Sequence, residues 1–276
     1  SEILKSINIQ QQSFTYNFTD NEKFAELLRK DISKGNKIYV QELLYRSHIA
    51  AVTTLLRNEK WIQGICSGIH DKNLFTFSAS LRGLIESAAD SLYTLAYVAP
   101  TLLDNYEVFY LGLQGKASVR LIWCKEFEDK LIHYSYARRQ NKKSSAPESH
   151  IAKHAQDYLK FLDGDNSSAV RKLYSELCEL THPAERTVSI FIGSNSQISG
   201  EYTMQYGQDE IFINDAIDRH KDAFSTAFEM SFNSALMALY VINLFDEPSI
   251  MTKGLNRSTL GHIKTYNEIK LPQKPN

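Results

Sequence analysis

Three charged residues lie along one side of an otherwise apolar segment. Arg82, Glu86 and Asp90 follow one another at four-residue spacing, which places them on one face of a helix. An arginine that precedes a glutamate is the weaker orientation for an ion pair within a helix, so local pairing explains the pattern poorly. Charged groups beside a core need partners, and we expect one from another helix. Two interpretations stay open: a structural salt bridge that orients two helices, or a functional pocket.

The segment SELCELTHPAER (175–186) carries a histidine at the predicted end of a helix. Pro183 prevents the helix from continuing past His182, and Arg186 follows in the turn. The helix dipole favours a protonated histidine here, and histidine is the commonest general acid or base. Arg186 or Arg82 could hold a phosphate oxygen beside it. A histidine that only caps the helix is the simpler interpretation.

Cys178 lies one turn before His182, so a cysteine nucleophile with a histidine base is a further, weaker hypothesis. The predicted catalytic set is His182, Arg82, Glu86 and Arg186. We predict that Arg82 and Glu86 lie within hydrogen-bonding distance of the His182 region, because both polar groups interrupt apolar helices and need partners.

A basic and aromatic segment near residue 140 could bind nucleic acid. Its arginines and lysines can contact phosphates, and its tyrosine offers a ring on which a base can stack. The predicted nucleic-acid-binding residues are Arg138, Arg139, Lys142, Lys143 and Tyr136.

Composition and missing motifs exclude several classes of protein. The chain has 276 residues, 43% of them hydrophobic and 23% charged, which is typical of a globular protein. Its net charge of −1 gives no global field that would attract nucleic acid. A P-loop, a glycine-rich dinucleotide loop, HExxH and GxSxG are all missing. Since no complete set of metal ligands occurs either, we expect no metal and no cofactor.

The cysteines and the apolar segments bear on the compartment. Cys66, Cys124 and Cys178 are odd in number and widely spaced, so we expect reduced thiols. The first residues do not resemble a signal peptide, and no apolar stretch approaches the roughly 20 residues that span a bilayer. We therefore expect a cytoplasmic protein without a membrane partner.

Hydrophobic periodicity predicts an all-α fold: a bundle of about seven or eight helices with one small inserted β-hairpin near residues 187–206. We expect a single domain over residues 1–276, with an arm at 1–18 and a basic tail at 253–276. A capping box at Thr19 and Glu22 predicts the first helix start, and Gly35 and Asn36 its end. The predicted helices cover residues 19–32, 38–69, 74–98, 118–139, 150–162, 168–181 and 211–245.

Two stretches resemble hallmarks of a group of bacterial all-helical proteins related to the HEPN superfamily. LFTFSASLRGLIESAADSLYTL (74–95) is similar to their helix with an internal Arg-xxx-Glu, and KLYSELCELTHPA (172–184) to a helix that runs into His-Pro. The resemblance implies a dimeric helical bundle in a prokaryotic defence, stress or toxin–antitoxin setting.

Catalytic members of that superfamily are metal-independent RNases. They use Arg-x(4–6)-His, whose two residues meet across a dimer interface. This chain departs from the pattern, because the nearest arginine before His182 is Arg171, with ten residues between the two. Arg257 and His262 have the spacing but lie in the predicted tail.

Three functions are compatible with these residues. The leading hypothesis is a HEPN-like protein that binds or cleaves RNA, with His182 as acid or base and Arg82 as its partner. The alternative is a non-enzymatic scaffold or regulatory subunit, in which Arg82, Glu86 and His182 form a buried structural knot. A small-ligand sensor is the third, with an aromatic pocket built from Tyr93, Tyr97, Tyr106 and Tyr110. Exposure distinguishes a site from a knot.

We also predict a homodimer, because the last long helix is apolar on two sides. One row comprises Phe224, Phe228, Phe232 and Leu236, and the other comprises Ala227, Met230, Met237 and Tyr240.

Overall fold

A computed structural model confirms the all-α fold with one small hairpin. It describes residues 5, 7–140, 145–162, 167–194, 200–255, 260, 261, 263, 266, 267 and 272–274. The helices are α1 (Asn21–Lys30), α2 (Ile32–His70), α3 (Leu74–Leu95), α4 (Val98–Asp104), α5 (Tyr106–Leu113), α6 (Lys125–Tyr136), α7 (Ala155–Leu159), α8 (Ser167–Thr181), α9 (Glu185–Ser189), α10 (Asp209–Arg219) and α11 (Lys221–Asn243). Short 3-10 turns cover Ile9–Gln11, Glu148–His150, Lys160–Leu162 and Pro248–Ile250.

The chain forms two compact units. Unit 1 comprises Ser1–Leu56, Asp90–His154 and Asn233–Asn276, and unit 2 comprises Arg57–Ala89 and Ala155–Phe232. Each unit is built from separate stretches, so no single cut in the chain divides them. The single domain over residues 1–276 stays a prediction.

The boundary between α1 and α2 differs from the predicted one. Asp20, not Thr19, caps α1, and its carboxylate accepts hydrogen bonds from the Glu22 and Lys23 amides. Helix α2 already begins at Ile32 and runs through Gly35 and Asn36. A side chain at Gly35 would collide with Leu28 of α1, so this glycine permits close packing instead of ending a helix.

Asn36 also explains why the helix predicted over residues 118–139 begins only at Lys125. Its Nδ2 donates to the Ala117 and Arg120 carbonyls at 2.8 and 2.7 Å, and its Oδ1 accepts from the Ile122 amide at 2.8 Å. The Asn36 side chain is completely buried and holds this loop in unit 1. Because the loop's backbone groups bond to α2, they are not available for a helix of their own.

A buried histidine ties the N-terminal arm to unit 1. His48 accepts or donates hydrogen bonds at 2.8 Å to the Tyr16 hydroxyl and at 2.9 Å to the Thr252 hydroxyl. Burial lowers the pKa of His48 to about 4 and raises the pKa of Tyr16 to about 12. The arm is therefore packed onto the unit, at least over its described residues.

The predicted tail is also packed where it is described: Leu260, Ile263 and Tyr266 are buried, and Tyr266 meets Tyr240 edge to face. Arg257 and His262 lie outside the described residues. None of the described helices combines the length and the apolar character needed to cross a membrane.

The hairpin of unit 2 is shorter than the sequence pattern indicates. Strands β1 (Ile192–Ser194) and β2 (Tyr202–Met204) pair antiparallel, with Ile192 opposite Met204. The β-branched residues before them form α9 instead, because the Thr187 hydroxyl donates to the Ala184 carbonyl at 2.6 Å and closes a helical turn. The helix predicted over residues 211–245 is likewise interrupted, at His220, into α10 and α11.

Candidate functional site

Helix α3 presents a charged pair at the edge of the core of unit 2. Leu81, Leu84 and Ile85 are completely buried on one side of the helix. Arg82 and Glu86 flank this side, with 23% and 37% of their side chains exposed, and Arg82 Nε donates to Glu86 Oε1 at 2.9 Å. The helix therefore holds the Arg82 guanidinium in a largely buried position at the edge of the core.

Helix α8 supplies the partners that the sequence analysis expected from another helix. Tyr174, Cys178 and Thr181 share one face of α8 because they are four and three residues apart. The Tyr174 hydroxyl donates to Glu86 Oε1 at 2.7 Å, and Arg82 Nη1 donates to the Thr181 hydroxyl oxygen at 2.8 Å.

His182 follows directly after the last residue of α8 and meets the same arginine. Its Nε2 lies 2.8 Å from Arg82 Nη1, and the imidazole is exposed. The predicted contact between Arg82 and His182 is therefore present, while Glu86 reaches the site through Arg82 and Tyr174. We call these residues, namely Arg82, Glu86, Tyr174, Thr181 and His182, the Arg82 cluster.

In its contact with Arg82, His182 takes the part of the acceptor. A guanidinium only donates hydrogen bonds, so the accepting atom is His182 Nε2. The His182 amide completes the end of α8 by bonding to the Cys178 carbonyl at 3.0 Å. The His182 side chain thus bonds to Arg82. A histidine that only capped the helix would bond to the carbonyls of its last turn instead.

The carboxylate of Glu86 sets the charge state of its neighbours. Burial is the largest single influence and lowers the pKa of Arg82, but the interactions with Glu86 and Tyr174 together outweigh it, and the pKa is raised. Burial, and next the hydrogen bond to Glu86, raise the pKa of Tyr174 far above its usual value. The Arg82 guanidinium therefore stays charged, and the Tyr174 phenol stays protonated. The guanidinium lies 5.8 Å from the centroid of the Tyr174 ring.

Arg186, the remaining predicted catalytic residue, pairs with carboxylates and not with His182 among the described contacts. Its guanidinium lies 3.2 Å from Glu179 and 3.6 Å from Glu176. Glu176 also pairs with Arg219 at 3.0 Å and with His220 Nε2 at 3.1 Å. We call this second group the Glu176 cluster.

Sequence reasoning missed Tyr174 and Thr181 as members of the Arg82 cluster. Their helical spacing to Cys178 and His182 was the signal that could have found them. It missed the Glu176 cluster because Arg219 and His220 are distant in sequence from Glu176.

Of the predicted nucleic-acid-binding residues in unit 1, the described ones are exposed. Tyr136 is 55% exposed, and its ring stacks on His150 with centroids 6.1 Å apart. Arg138 and Arg139 follow it, and the Arg138 backbone pairs with Ile151. Lys142 and Lys143 lie outside the described residues.

Arg46 extends this surface. Its guanidinium lies 6.0 Å from the Tyr136 ring centroid and 4.8 Å from that of Phe18, which is 44% exposed. An aromatic and basic surface of this kind is typical of single-strand binding.

The four tyrosines of the predicted aromatic pocket have their described contacts in two pairs. Tyr106 is buried against Tyr110 and Phe245, with ring centroids 5.7 and 4.9 Å away. Tyr93 and Tyr97 instead lie close to Lys130.

Over the described ranges, no three histidine, cysteine, aspartate or glutamate residues are grouped so that they could hold a metal ion. Cys66, Cys124 and Cys178 are free thiols.

Comparisons with protein families, with curated proteins and with solved structures found no match to this chain. The similarity to HEPN proteins therefore rests on the residue patterns of 74–95 and 172–184.

Proposed function

We propose that this protein binds single-stranded RNA and cleaves it by general acid–base catalysis, with His182 as the acid/base and Arg82 as the phosphate-binding group. The observation that carries the proposal is an exposed imidazole held 2.8 Å from an arginine that Glu86 and Thr181 orient. A histidine and an arginine are enough to move a 2′-hydroxyl proton and to hold a phosphate.

In the proposed reaction, a phosphate oxygen takes over the hydrogen bond that Arg82 Nη1 gives to His182. Nε2 is then free to accept the ribose 2′-hydroxyl proton while the 2′ oxygen attacks phosphorus. The bond to the 5′ oxygen breaks, leaving a 2′,3′-cyclic phosphate and a 5′-hydroxyl that takes its proton from the solvent. The imidazolium returns its proton to the solvent, to which His182 is exposed.

Glu86, Thr181 and Tyr174 are positioning residues in this proposal. Glu86 holds Arg82 Nε and receives the Tyr174 hydroxyl, so the carboxylate joins both helices at one point. A guanidinium fixed before the substrate arrives loses little entropy on binding a phosphate.

The surface around Tyr136 supports RNA as the substrate class. Exposed rings can stack unpaired bases, and Arg46, Arg138 and Arg139 can contact phosphates. Stacking on rings favours single strands, because bases in a duplex are already stacked on each other. The prokaryotic defence or stress setting belongs to the proposal through the HEPN resemblance alone.

The scaffold hypothesis has one observation in its favour: Arg82 already has three partners and is mostly buried. A structural knot, however, is buried throughout, and His182 is exposed. The exposure of His182 therefore favours a functional site over a structural knot.

The homodimer also stays a proposal. Ala227, Leu236 and Met237 of α11 are buried within a single chain, which accounts for part of the two-sided apolar pattern. Phe224, Phe228, Phe232, Met230 and Tyr240 remain partly exposed. Since Arg82 and His182 meet within one chain, cleavage does not require a second copy. Light scattering at tens of micromolar would give twice the monomer mass, and a monomer mass would exclude the dimer.

The test of cleavage uses a mixed RNA pool in EDTA with wild type, His182→Ala and His70→Ala. His70 is the matched control, since it is exposed and ends helix α2 of the same unit. We expect His182→Ala to lower cleavage by about 100-fold or more and His70→Ala to leave it unchanged. An RNA with a single 2′-deoxyribose at the cleaved position should resist.

Each other outcome contradicts the proposal in a defined way. Equal cleavage by all three proteins places the activity elsewhere or in a contaminant. No cleavage by any of them, with a lower melting temperature for His182→Ala, supports the scaffold instead.

A further inference from the structure

The loop that joins α5 to α6 in unit 1 exposes three large apolar side chains. We call residues 115–124 the Trp123 loop. Val119 is 88% exposed, Leu121 44% and Trp123 55%, whereas Ile122 is buried. The alternation places Leu121 and Trp123 on the outer side of an extended chain. Apolar side chains that are grouped in this way on a surface mark an interaction site.

Helix α2 fixes the backbone of the Trp123 loop. The buried Asn36 side chain bonds to three of its backbone groups. The Cys124 amide donates to the Tyr39 hydroxyl at 3.0 Å, and the Tyr39 ring stacks on that of Trp123 with centroids 5.7 Å apart. These backbone groups keep their partners when water leaves, so the loop can enter a less polar medium without leaving them unsatisfied.

Ile122 holds the loop against α5 from its inner side. A Cβ on Gly112 would lie 2.8 Å from Ile122 Cδ1, so this side chain packs directly on the helix. The one acidic residue of α5, Glu107, lies at the opposite end of the helix from Gly112. Because the loop is already ordered, its outer side chains lose little conformational entropy when they bind.

Three exposed cations accompany the apolar side chains. Lys116 and Arg120 belong to the loop, and Lys37 follows the loop-binding asparagine of α2. Within the described part of the chain, none of the three pairs with a carboxylate. Asp31, just before α2, is paired with Lys34 at 3.7 Å. The three cations therefore remain available to an anionic partner.

The acidic residues of α6 do not cancel this charge. The loop itself contains no acidic residue. Glu128 accepts a hydrogen bond from the Tyr39 hydroxyl at 3.4 Å, and Asp129 pairs with Lys125 at 2.7 Å. Glu126, in the first turn of α6, is the exposed carboxylate next to the loop. Three cations thus face one neighbouring exposed carboxylate.

The aliphatic residues distinguish a lipid surface from RNA as the partner. A nucleic acid could stack a base on Trp123, but Val119 and Leu121 offer no ring. At a bilayer, aliphatic side chains reach the acyl chains, an indole stays at the headgroup level, and cations attract anionic lipids. The expectation of no membrane partner rests on the missing spanning segment, and a protein that lies on a bilayer needs none.

We infer that the Trp123 loop docks this protein on the surface of an anionic lipid bilayer. Val119, Leu121 and Trp123 enter the interface, and the three cations contact lipid phosphates. The inference does not depend on RNA cleavage, since it uses other residues and a measurement without RNA.

The experiment is sedimentation of the full chain with vesicles of phosphatidylcholine, alone or with about 30% phosphatidylglycerol. We expect the anionic vesicles to bind at least about tenfold more tightly than the neutral ones. Lys116→Gln and Arg120→Gln should each weaken this binding by about fivefold, because each removes one cation from the surface. Val119→Ser should weaken it by about fivefold through the lost apolar contact, and the exposure of Val119 leaves the fold intact.

Val188→Ser is the matched control for Val119→Ser, because Val188 is 57% exposed and lies in unit 2. It should bind vesicles like wild type. Lys221→Gln removes one exposed cation of unit 2 and should change binding by less than about twofold. Equal weakening by the loop variants and these controls would overturn the inference, because net charge or general surface apolarity would then explain binding.

Tryptophan fluorescence gives a second readout of the loop. The chain has two tryptophans, Trp61 and Trp123. Emission should shift to shorter wavelength with anionic vesicles when the Trp123 indole leaves water, and Trp123→Phe should lose this shift. A shift that persists in Trp123→Phe would place the contact elsewhere. Absence of binding at about 1 mM lipid would also overturn the inference, and RNA binding that falls in the loop variants would assign the loop to RNA instead.

Discussion

Helix α8 takes part in two clusters of arginine and histidine with opposite character. In the Glu176 cluster the histidine is buried, since the His220 side chain is 5% exposed, and the carboxylate of Glu176 contacts it. In the Arg82 cluster His182 is exposed, and its described contact is with a cation. The same residue types, arranged around one helix, are therefore enclosed in one place and accessible in the other.

Charge balance explains the difference. In the Glu176 cluster, Arg219 is held by both Glu176 and Asp215, and Arg186 by Glu176 and Glu179. Burial raises the pKa of Glu176, but the interactions with His220 and Arg219 together outweigh burial, and the pKa is lowered. A cluster in which carboxylates meet every cation gains nothing from a further anion. Among its described partners Arg82 has one carboxylate, that of Glu86, beside Thr181 and His182, so a phosphate can still approach it favourably.

The largest effect that would test this contrast is on cleavage. We expect Arg82→Gln to lower kcat/KM for RNA by about 100-fold, because the guanidinium holds charge that develops on the phosphate. Arg219→Gln removes an equal charge from the same unit and should change kcat/KM by less than about threefold. Steady-state rates on one defined RNA give both values. If the two variants lose activity equally, the contrast between the clusters is wrong.

The next effect concerns stability, and here the larger loss is expected in the Glu176 cluster and the smaller one in the Arg82 cluster. Glu176→Gln leaves His220 buried without its carboxylate, and we expect the free energy of unfolding to fall by about 2 kcal/mol. Glu86→Gln should cost less than about 1 kcal/mol, since the Glu86 side chain is 37% exposed. Urea denaturation of both variants measures the difference.

Glu179→Gln is the control for Glu176→Gln, because Glu179 also pairs with Arg186 but is 55% exposed. Its stability should lie within about 0.5 kcal/mol of wild type. A loss for Glu179→Gln as large as for Glu176→Gln would mean that total charge, and not the buried contact, stabilises the cluster.

A smaller effect appears in the pH dependence. The pKa of Glu176 is lowered in the folded state from its ordinary value of 4.5, so the unfolded state binds the proton more readily. Its contribution is fully present above pH 4.5 and is lost as the pH falls through the folded pKa. Unfolding free energies measured from pH 7 to pH 3 should therefore fall less steeply for Glu176→Gln than for wild type. Parallel curves would show that Glu176 does not have a lowered pKa.

Much of the Arg82 cluster could be predicted from the sequence. Helix α3 is strongly periodic, and polar groups beside a core require partners, so the contact between Arg82 and His182 followed from local patterns. Thr181 and Tyr174 could have been included by helical spacing, but nothing in the sequence indicates that the arginine bonds to a hydroxyl.

Local sequence patterns predicted the wrong helix boundaries where contacts with distant residues determine the backbone. The late start of α6 depends on Asn36, which bonds to a loop more than 80 positions away. The interruption at His220 coincides with its contact to Glu176, 44 positions earlier. Helical periodicity continues through both places, so only tertiary contacts distinguish them.

The smallest expected effect tests whether Thr181 orients Arg82. The Thr181 hydroxyl donates to the Leu177 carbonyl at 2.8 Å and accepts from Arg82 Nη1 at 2.8 Å. Thr181→Val keeps the shape but removes the acceptor, and we expect kcat to fall by about threefold with little change in KM. Thr181→Ser keeps the oxygen and should stay near wild type, which separates loss of the hydrogen bond from loss of packing. Rates for Thr181→Val equal to wild type would leave Glu86 as the residue that orients Arg82. A loss as large as that of Arg82→Gln would make the hydroxyl as necessary as the guanidinium and would contradict its role as a positioning residue.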